Sequence, residues 1–250
     1  MSEVLYGVRG HMQALVLAGG KGTRLYPYTT VLPKPLMPVG DYPILEILLR
    51  QLKSAGITEV ILAVGYLSHL IEAFFQDGSR LGLKITYSRE EEPLGTAGPI
   101  SLVLDRLEED FLVLNGDLLT TMRFGNLIQH HKERQAAATI GMYQREVKID
   151  FGVIDMDDQG RLSKYTEKPV YHFDVSMGVN VLNKQQISPY LKHDTYLDIP
   201  DLMMQLSRDG HPVHCYREPC YWLDIGRVDD YQVAVTKFVE NPEQFIPADL

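Results

Sequence analysis

Residues 17–39 read Leu-Ala-Gly-Gly-Lys-Gly-Thr-Arg-Leu-Tyr-Pro-Tyr-Thr-Thr-Val-Leu-Pro-Lys-Pro-Leu-Met-Pro-Val, with Gly19, Gly20 and Gly22 directly after the apolar run 14–18. That run has the length and bounded character of a buried strand. Glycines at a strand end let backbone N–H groups turn toward an anion at close range, because no Cβ stands in the way. Lys21, Arg24 and Lys34 surround the glycines, and residues 13–40 contain no Asp or Glu. In a chain of net charge -9 the segment is a positive island, suited to a polyanion such as a nucleoside triphosphate. A single glycine turn flanked by solvated lysines would carry no such meaning. Here the spacing is long and specific, and it is neither the P-loop nor the Gly-x-Gly-x-x-Gly dinucleotide pattern.

A second chemistry-bearing position is Asp117, after Gly116 at the end of the apolar run 111–114. A carboxylate there suits Mg2+, a hard cation that takes oxygen ligands and keeps waters and phosphates in its shell. A turn aspartate satisfied by nearby N–H groups is the plainer alternative.

Together these residues resemble the opening motif of the sugar nucleotidyltransferases, the nucleoside-diphosphate-sugar pyrophosphorylases. The family pattern is Leu-Ala-Gly-Gly-x-Gly-Thr-Arg-Leu, then Pro and Thr, then Lys-Pro-x-x-Pro-Val. The chain matches it at 17–25, at Pro27 and at 34–39. The resemblance implies that Leu17, Gly19, Gly20, Gly22, Thr23, Arg24 and Gly116 bind the nucleotide, and that Arg24, Lys34 and Asp117 are catalytic. It also implies a second metal aspartate in a Trp-x-Asp-x-Gly context, which Trp222-Leu223-Asp224-Ile225-Gly226 fits. Asp117 and Asp224 then converge on one Mg2+.

For the sugar 1-phosphate the resemblance implies Gly152, Glu167, Lys168 and Gly178. Phe151-Gly152-Val153 and Ser176-Met177-Gly178-Val179 match glycine approaches to the sugar. In Glu167-Lys168-Pro169, Glu167 is assigned to sugar hydroxyls and Lys168 to phosphate. Alone, such a Glu-Lys pair is ordinary solvated surface. Ser176 and Asn180 depart from the family's Asn and aromatic residue. Residues 93–99, Pro-Leu-Gly-Thr-Ala-Gly-Pro, look most like the mannose-1-phosphate guanylyltransferases. There Gly95 and Thr96 border the base, with backbone groups reading its edge; Thr96 alone is a sound helix N-cap.

These residues need elements to bring them together. Helical spacing predicts helices over 43–55, 68–75, 96–107, 199–206 and 228–239, with Ser68 a candidate cap. Apolar runs predict strands over 14–18, 59–64, 83–87, 111–114, 136–143, 152–156, 161–166 and 175–182, with a turn at 157–160. Strands alternating with helices imply a doubly wound, mostly parallel α/β sheet, Rossmann-like, whose ligands sit at the carboxyl ends of the strands. The second half reads as a β-rich insertion holding the sugar phosphate within the same mixed sheet. The expected organisation is an N-terminal extension 1–12, one domain 13–240 (nucleotide half about 13–120, sugar-phosphate half about 121–227) and a tail 241–250.

Hydrophobic content of 45% and charged content of 23% are those of an ordinary globular protein. No apolar run reaches membrane-spanning length, and the start lacks a secretory layout. Two cysteines, Cys215 and Cys220, fit free thiols in a reducing compartment, so the expected location is cytoplasmic. The acidic balance disfavours a nucleic-acid partner. A homo-oligomer stays open. His130 and His131 are expected exposed on a polar helix end. His214 and Cys215 fall on opposite faces of a strand, so no zinc is assigned.

The reaction expected from the resemblance is attack of a sugar 1-phosphate on the α-phosphorus of an NTP, releasing pyrophosphate. GTP and a mannose- or heptose-type 1-phosphate are the expected pair. The rivals are a uridylyl- or cytidylyltransferase acting on another sugar or alcohol phosphate, and a catalytically silent, nucleotide-sugar-binding regulatory paralogue.

Overall fold

A computed structural model of the chain describes residues 12–246. Most of the expected extension 1–12, and residues 247–250 of the expected tail, lie outside the described residues. In chain order the principal elements are β1 (Gln13–Leu17), α1 (Ile44–Ser54), β2 (Glu59–Val64), α2 (Ser68–Phe75), β3 (Lys84–Arg89), β4 (Asp110–Asn115), β5 (Leu118–Thr120), α3 (Phe124–Arg134), β6 (Ala138–Lys148), β7 (Val153–Met156), β8 (Leu162–Thr166), β9 (Val170–Asn183), α4 (Ile199–Arg208), β10 (Val213–Tyr216), β11 (Trp222–Asp224) and α5 (Val228–Glu240).

Seven strands form the central sheet in the order β10-β6-β9-β4-β1-β2-β3. β1 pairs in parallel with both β2 and β4, and β2 with β3. β9 runs antiparallel between β4 and β6, which makes the sheet mixed. Both faces of β1, β2 and β4 are buried, so their side chains alternate between two apolar layers. Ala14, Val16, Leu62 and Leu112 join α1, α2 and α3 on one face, while Leu15, Ile61 and Val113 join α4 on the other. A third cluster packs α5 against Leu25, Met37 and Val39.

Beyond this core, β6 and β9 continue as an arm, pairing Lys148 with Val170 at its far end. The β7–β8 hairpin forms a separate two-stranded sheet beside it. Phe151, at 78% exposure, and Met156, at 70%, belong to this region.

Several expectations change. The helix over 96–107 is instead a short turn of helix at Gly98–Ser101 and a 3-10 turn at Leu104–Arg106. The N–H groups of Ala97 and Gly98, at the start of this turn, donate to the Leu197 carbonyl. Thr96 and Ser68 cap no helix of their own: the N-cap positions are Ala97 and Leu67. His131 is buried at 1% exposure, its ring bonded to Thr139 Oγ1 at 2.9 Å and lying 3.4 Å from Asp110. Residues 242–246 do not trail away, because Phe245 inserts beside Tyr221 and Phe238. Cys215 and Cys220 are free thiols. Among the described residues, no helix is long and apolar enough to cross a membrane.

Candidate active site

The carboxyl ends of β1, β2, β3 and β4 define one edge of the sheet, where a doubly wound fold presents its ligand crevice. The glycine loop leaves β1 there. Gly116 N–H donates to the Leu17 carbonyl at 2.9 Å, tying the two strand exits together. Tyr66 N–H donates to the Gly19 carbonyl at 3.2 Å, and a Cβ on Gly65 would lie 2.9 Å from that oxygen. Gly22 sits at φ +61°, and a Cβ on it would meet Thr29 Cγ2 at 2.9 Å. Its carbonyl accepts from Leu25 N–H and Thr29 Oγ1, both at 2.9 Å, which folds the loop back on itself. Gly20 and Lys21 stay exposed, with open space around the Gly20 Cα.

This fold-back delivers Lys34 into the site. Lys34 is 9% exposed, and its Nζ forms an ion pair with Asp117 Oδ2. Asp117 Oδ1 is buried and has no hydrogen-bond partner. The second carboxylate arrives through β11, which pairs antiparallel with β5 so that Asp224 faces Leu118. Ile225 N–H donates to the Asp117 carbonyl at 3.2 Å. The Trp222 indole anchors this strand by donating to the Met177 carbonyl at 3.0 Å and packing on Tyr143. Burial and then the nearby Asp117 raise the Asp224 carboxyl above its ordinary value, opposed by Lys34 and Arg24. Arg24 closes the group: a Cβ on Gly226 would lie 3.3 Å from Asp224 Oδ2 and 3.5 Å from Arg24 Nη2.

Two carboxylates, an orphaned buried oxygen and two cations therefore share one strand edge. An oxygen-only donor set of this kind suits a hard divalent cation completed by water and phosphate. Among the described residues no group of three or more His, Cys, Asp or Glu side chains is placed to hold a metal, so a cation at Asp117 and Asp224 would need water or phosphate to complete its shell.

The sugar-side residues are placed differently. Glu167 and Lys168 are exposed at the end of β8, and Lys168 takes φ +43°. Neither has a hydrogen bond or ion pair. Gly152 packs under the Tyr165 phenol, where a Cβ would collide. Gly178, at φ +70°, marks a register shift between β6 and β9, and a Cβ there would lie 2.5 Å from Asn115 Nδ2. Both glycines thus meet protein atoms at close range.

In loop 94–98 most of the backbone donors are taken up by the protein itself. The N–H groups of Ala97 and Gly98 donate to the Leu197 carbonyl at 2.8 and 3.0 Å, and Thr96 N–H donates to Asp198. These donors are satisfied within the protein; within the loop, Gly95 N–H has no hydrogen-bond partner. Glu90 is the polar residue missed at this edge. Its Oε2 accepts Leu94 N–H at 3.1 Å, and its Oε1 would lie 3.1 Å from a Cβ on Gly19. Burial pushes its carboxyl up, partly offset by the Leu94 N–H. One Glu in the run Glu90-Glu91-Glu92 has no periodic signal to single it out.

Residues 13–242 match the family model described as Nucleotidyl transferase. A relative named probable mannose-1-phosphate guanylyltransferase 1, from Oryza sativa subsp. japonica, is 34% identical over 96% of this chain and 68% of its own length. A UTP--glucose-1-phosphate uridylyltransferase from Synechocystis is 31% identical over 90% of this chain and 62% of its own. The chain thus spans about two thirds of the length of these curated relatives. The crystal structure of HddC from Yersinia pseudotuberculosis complexed with GMP-PN superposes with TM-score 0.70 at 26% identity, covering 91% of this chain and 99% of that one.

Proposed function

The chain belongs to the nucleotidyl transferase family, and from that premise we propose that it joins an NTP to a sugar 1-phosphate, releasing pyrophosphate. The observation that carries this reading is the meeting of Asp117, Asp224, Lys34 and Arg24 beside the glycine loop. A phosphate oxygen of the sugar 1-phosphate attacks the α-phosphorus in line; the new P–O bond forms as the α–β bridging bond breaks, and pyrophosphate carries away the electron pair. The nucleophile is already an anion, so no strong base is required. The protein's task is to hold two mutually repelling anions together and neutralise charge on the reacting oxygens.

In this reading the glycine-loop amides and Arg24 hold the triphosphate, and Lys34 counters charge at the α-phosphate and leaving group. Lys168 and Glu167 take the sugar phosphate, with Gly152 and Gly178 shaping its bed. A divalent metal is a general requirement of the family, and we assign Mg2+ to Asp117 and Asp224. Bound there, the cation would supply positive charge to offset that of the phosphates. Retention of all five charged positions, Arg24, Lys34, Asp117, Lys168 and Asp224, speaks against a silent paralogue.

For the donor we propose GTP, with a mannose- or heptose-type 1-phosphate as acceptor. Support comes from the relatives' names and from Glu90. A carboxylate accepts and cannot donate while ionised. Guanine is the base whose pairing edge offers two adjacent donors; Glu90 Oε2 keeps its bond from Leu94 N–H with any base, and guanine is the one that would add donors to both oxygens. The uridylyl relative keeps a second reading in play, with UTP and a glucose-type phosphate. Pyrophosphate release measured for four NTPs against a panel of sugar 1-phosphates tests both. GTP with a manno-configured partner should give the highest kcat/KM. A clear preference for UTP would replace the donor and leave the reaction class intact, whereas no release with any pair would defeat the enzymatic reading.

A further inference from the structure

We propose that Asp198, at the entrance to α4, positions loop 94–98 and so sets affinity for the nucleoside triphosphate without touching it. The inference rests on the reading that this loop borders the base. Asp198 Oδ1 accepts both Thr96 N–H, at 3.0 Å, and Thr96 Oγ1, at 3.1 Å. Thr96 Oγ1 in turn accepts Ile199 N–H at 2.8 Å. The Tyr196 phenol donates to Asp198 Oδ2 at 2.7 Å. Around this pair the Leu197 carbonyl takes two loop amides, and Leu197 N–H donates to the Leu94 carbonyl at 3.0 Å.

Two features distinguish this clasp from routine helix capping. Asp198 occupies the N-cap of α4, where a carboxylate ordinarily accepts from the first turn of its own helix. Here it makes no such bond, and Thr96, 103 positions earlier, supplies the acceptor for Ile199 instead. The Asp198 carboxylate is therefore spent on the loop. Secondly, the loop is shaped to receive it. Gly95 takes φ +78°, and a Cβ there would lie 2.6 Å from the Leu197 carbonyl oxygen and 2.8 Å from Asp198 Oδ1. A Cβ on Gly98 would lie 2.7 Å from the Thr195 carbonyl oxygen. The glycines of this loop thus serve its approach to segment 195–199. Hydrogen bonds from Tyr196 and Thr96 outweigh burial and hold the carboxyl below its ordinary value, so it stays an ionised acceptor.

Asp198 acts through the loop, so its removal should be felt by one substrate. With pyrophosphate release as readout, Asp198→Ala should raise KM for the NTP about ten- to a hundredfold, the usual cost of losing hydrogen bonds to a charged group. KM for the sugar 1-phosphate should stay within about twofold. Asp198→Asn keeps a carbonyl oxygen for both Thr96 donors and should restore the NTP value to within about threefold. A purely structural role would instead damage both KM values and would not be rescued by Asn. Equal shifts for the two substrates, an unchanged NTP value in folded Asp198→Ala, or failure of the Asn variant to rescue would each overturn the assignment. If Asp198→Ala does not fold, Thr96→Val breaks the same clasp from the other side and must raise the NTP KM in the same direction. Titration of GTP into wild type and variants separates the two levels: wild type that binds GTP but turns nothing over defeats the proposed reaction and still decides Asp198.

Discussion

The nucleotide edge of the sheet and the β6–β9 arm are built on opposite terms. At the edge, the charged side chains are already paired or crowded: Lys34 on Asp117, and Asp224 between Asp117 and Arg24. Two apolar layers lie beneath them. On the arm and its neighbouring hairpin, Glu167 and Lys168 stand in solvent, and Phe151, Tyr165 and Phe173 are exposed as well. Preorganised charge costs no rearrangement when substrate arrives, whereas solvated charge must be ordered and stripped of water at that moment. In the proposed reaction, the NTP meets a finished site and the sugar phosphate completes its own.

The sharpest way to break this contrast is to remove one edge carboxylate. Asp117→Asn and Asp224→Asn should each lower kcat by about three orders of magnitude or more, the scale expected when charge stabilisation at the reacting centre is lost. Circular dichroism should show the fold intact. Chelation should have the same effect on the wild type, reversed by added Mg2+. Near-normal turnover in either variant would remove that carboxylate from the metal site.

Lys168→Ala should raise KM for the sugar phosphate about ten- to a hundredfold while leaving the NTP value and Tm unchanged, since Lys168 is exposed and unpartnered. A fall in Tm would show that the arm is more tightly assembled than its contacts indicate. Gly22→Ala probes the other side. It forces a Cβ against Thr29 at φ +61° and should cost about 1–3 kcal/mol of stability, read from denaturant unfolding.

The smallest effect concerns Glu46, buried on α1. Its oxygens accept from Arg50 Nη2 at 2.7 Å and from Arg80 Nη2 at 2.8 Å. Burial alone would raise its carboxyl, but the two guanidinium groups outweigh that and hold it below 4.5. A folded value depressed in this way contributes stability above pH about 4.5 that is lost as pH falls through the folded value. Glu46→Gln should therefore flatten the acid limb of a Tm-against-pH curve below that point and leave the neutral region parallel to wild type.

What was legible in the sequence follows from the range of the forces involved. The glycine loop and Asp117 lie at the ends of apolar runs, and the unbroken apolar character of β1, β2 and β4 marks strands buried on both faces. Asp224 is legible only through the resemblance, in its Trp-x-Asp-x-Gly context; the structure adds that Trp222 anchors that strand. Thr96 was misread because capping residues are judged by their own helix, while its hydroxyl serves a helix a hundred residues away. Asp198 and Glu90 are single polar residues acting across space, and no local pattern records their partners. His131 looked solvent-facing beside polar neighbours, yet Thr139 and Asp110 supply a buried place for its ring.

The pairing of β11 with β5 has a consequence in time. A ribosome adds about 5–20 residues each second, so Asp224 emerges roughly 5–20 s after Asp117. Lys34 and Asp117, which pair in the finished fold, are both made before that strand, so of the charges gathered at this edge Asp224 alone waits for the last part of the chain.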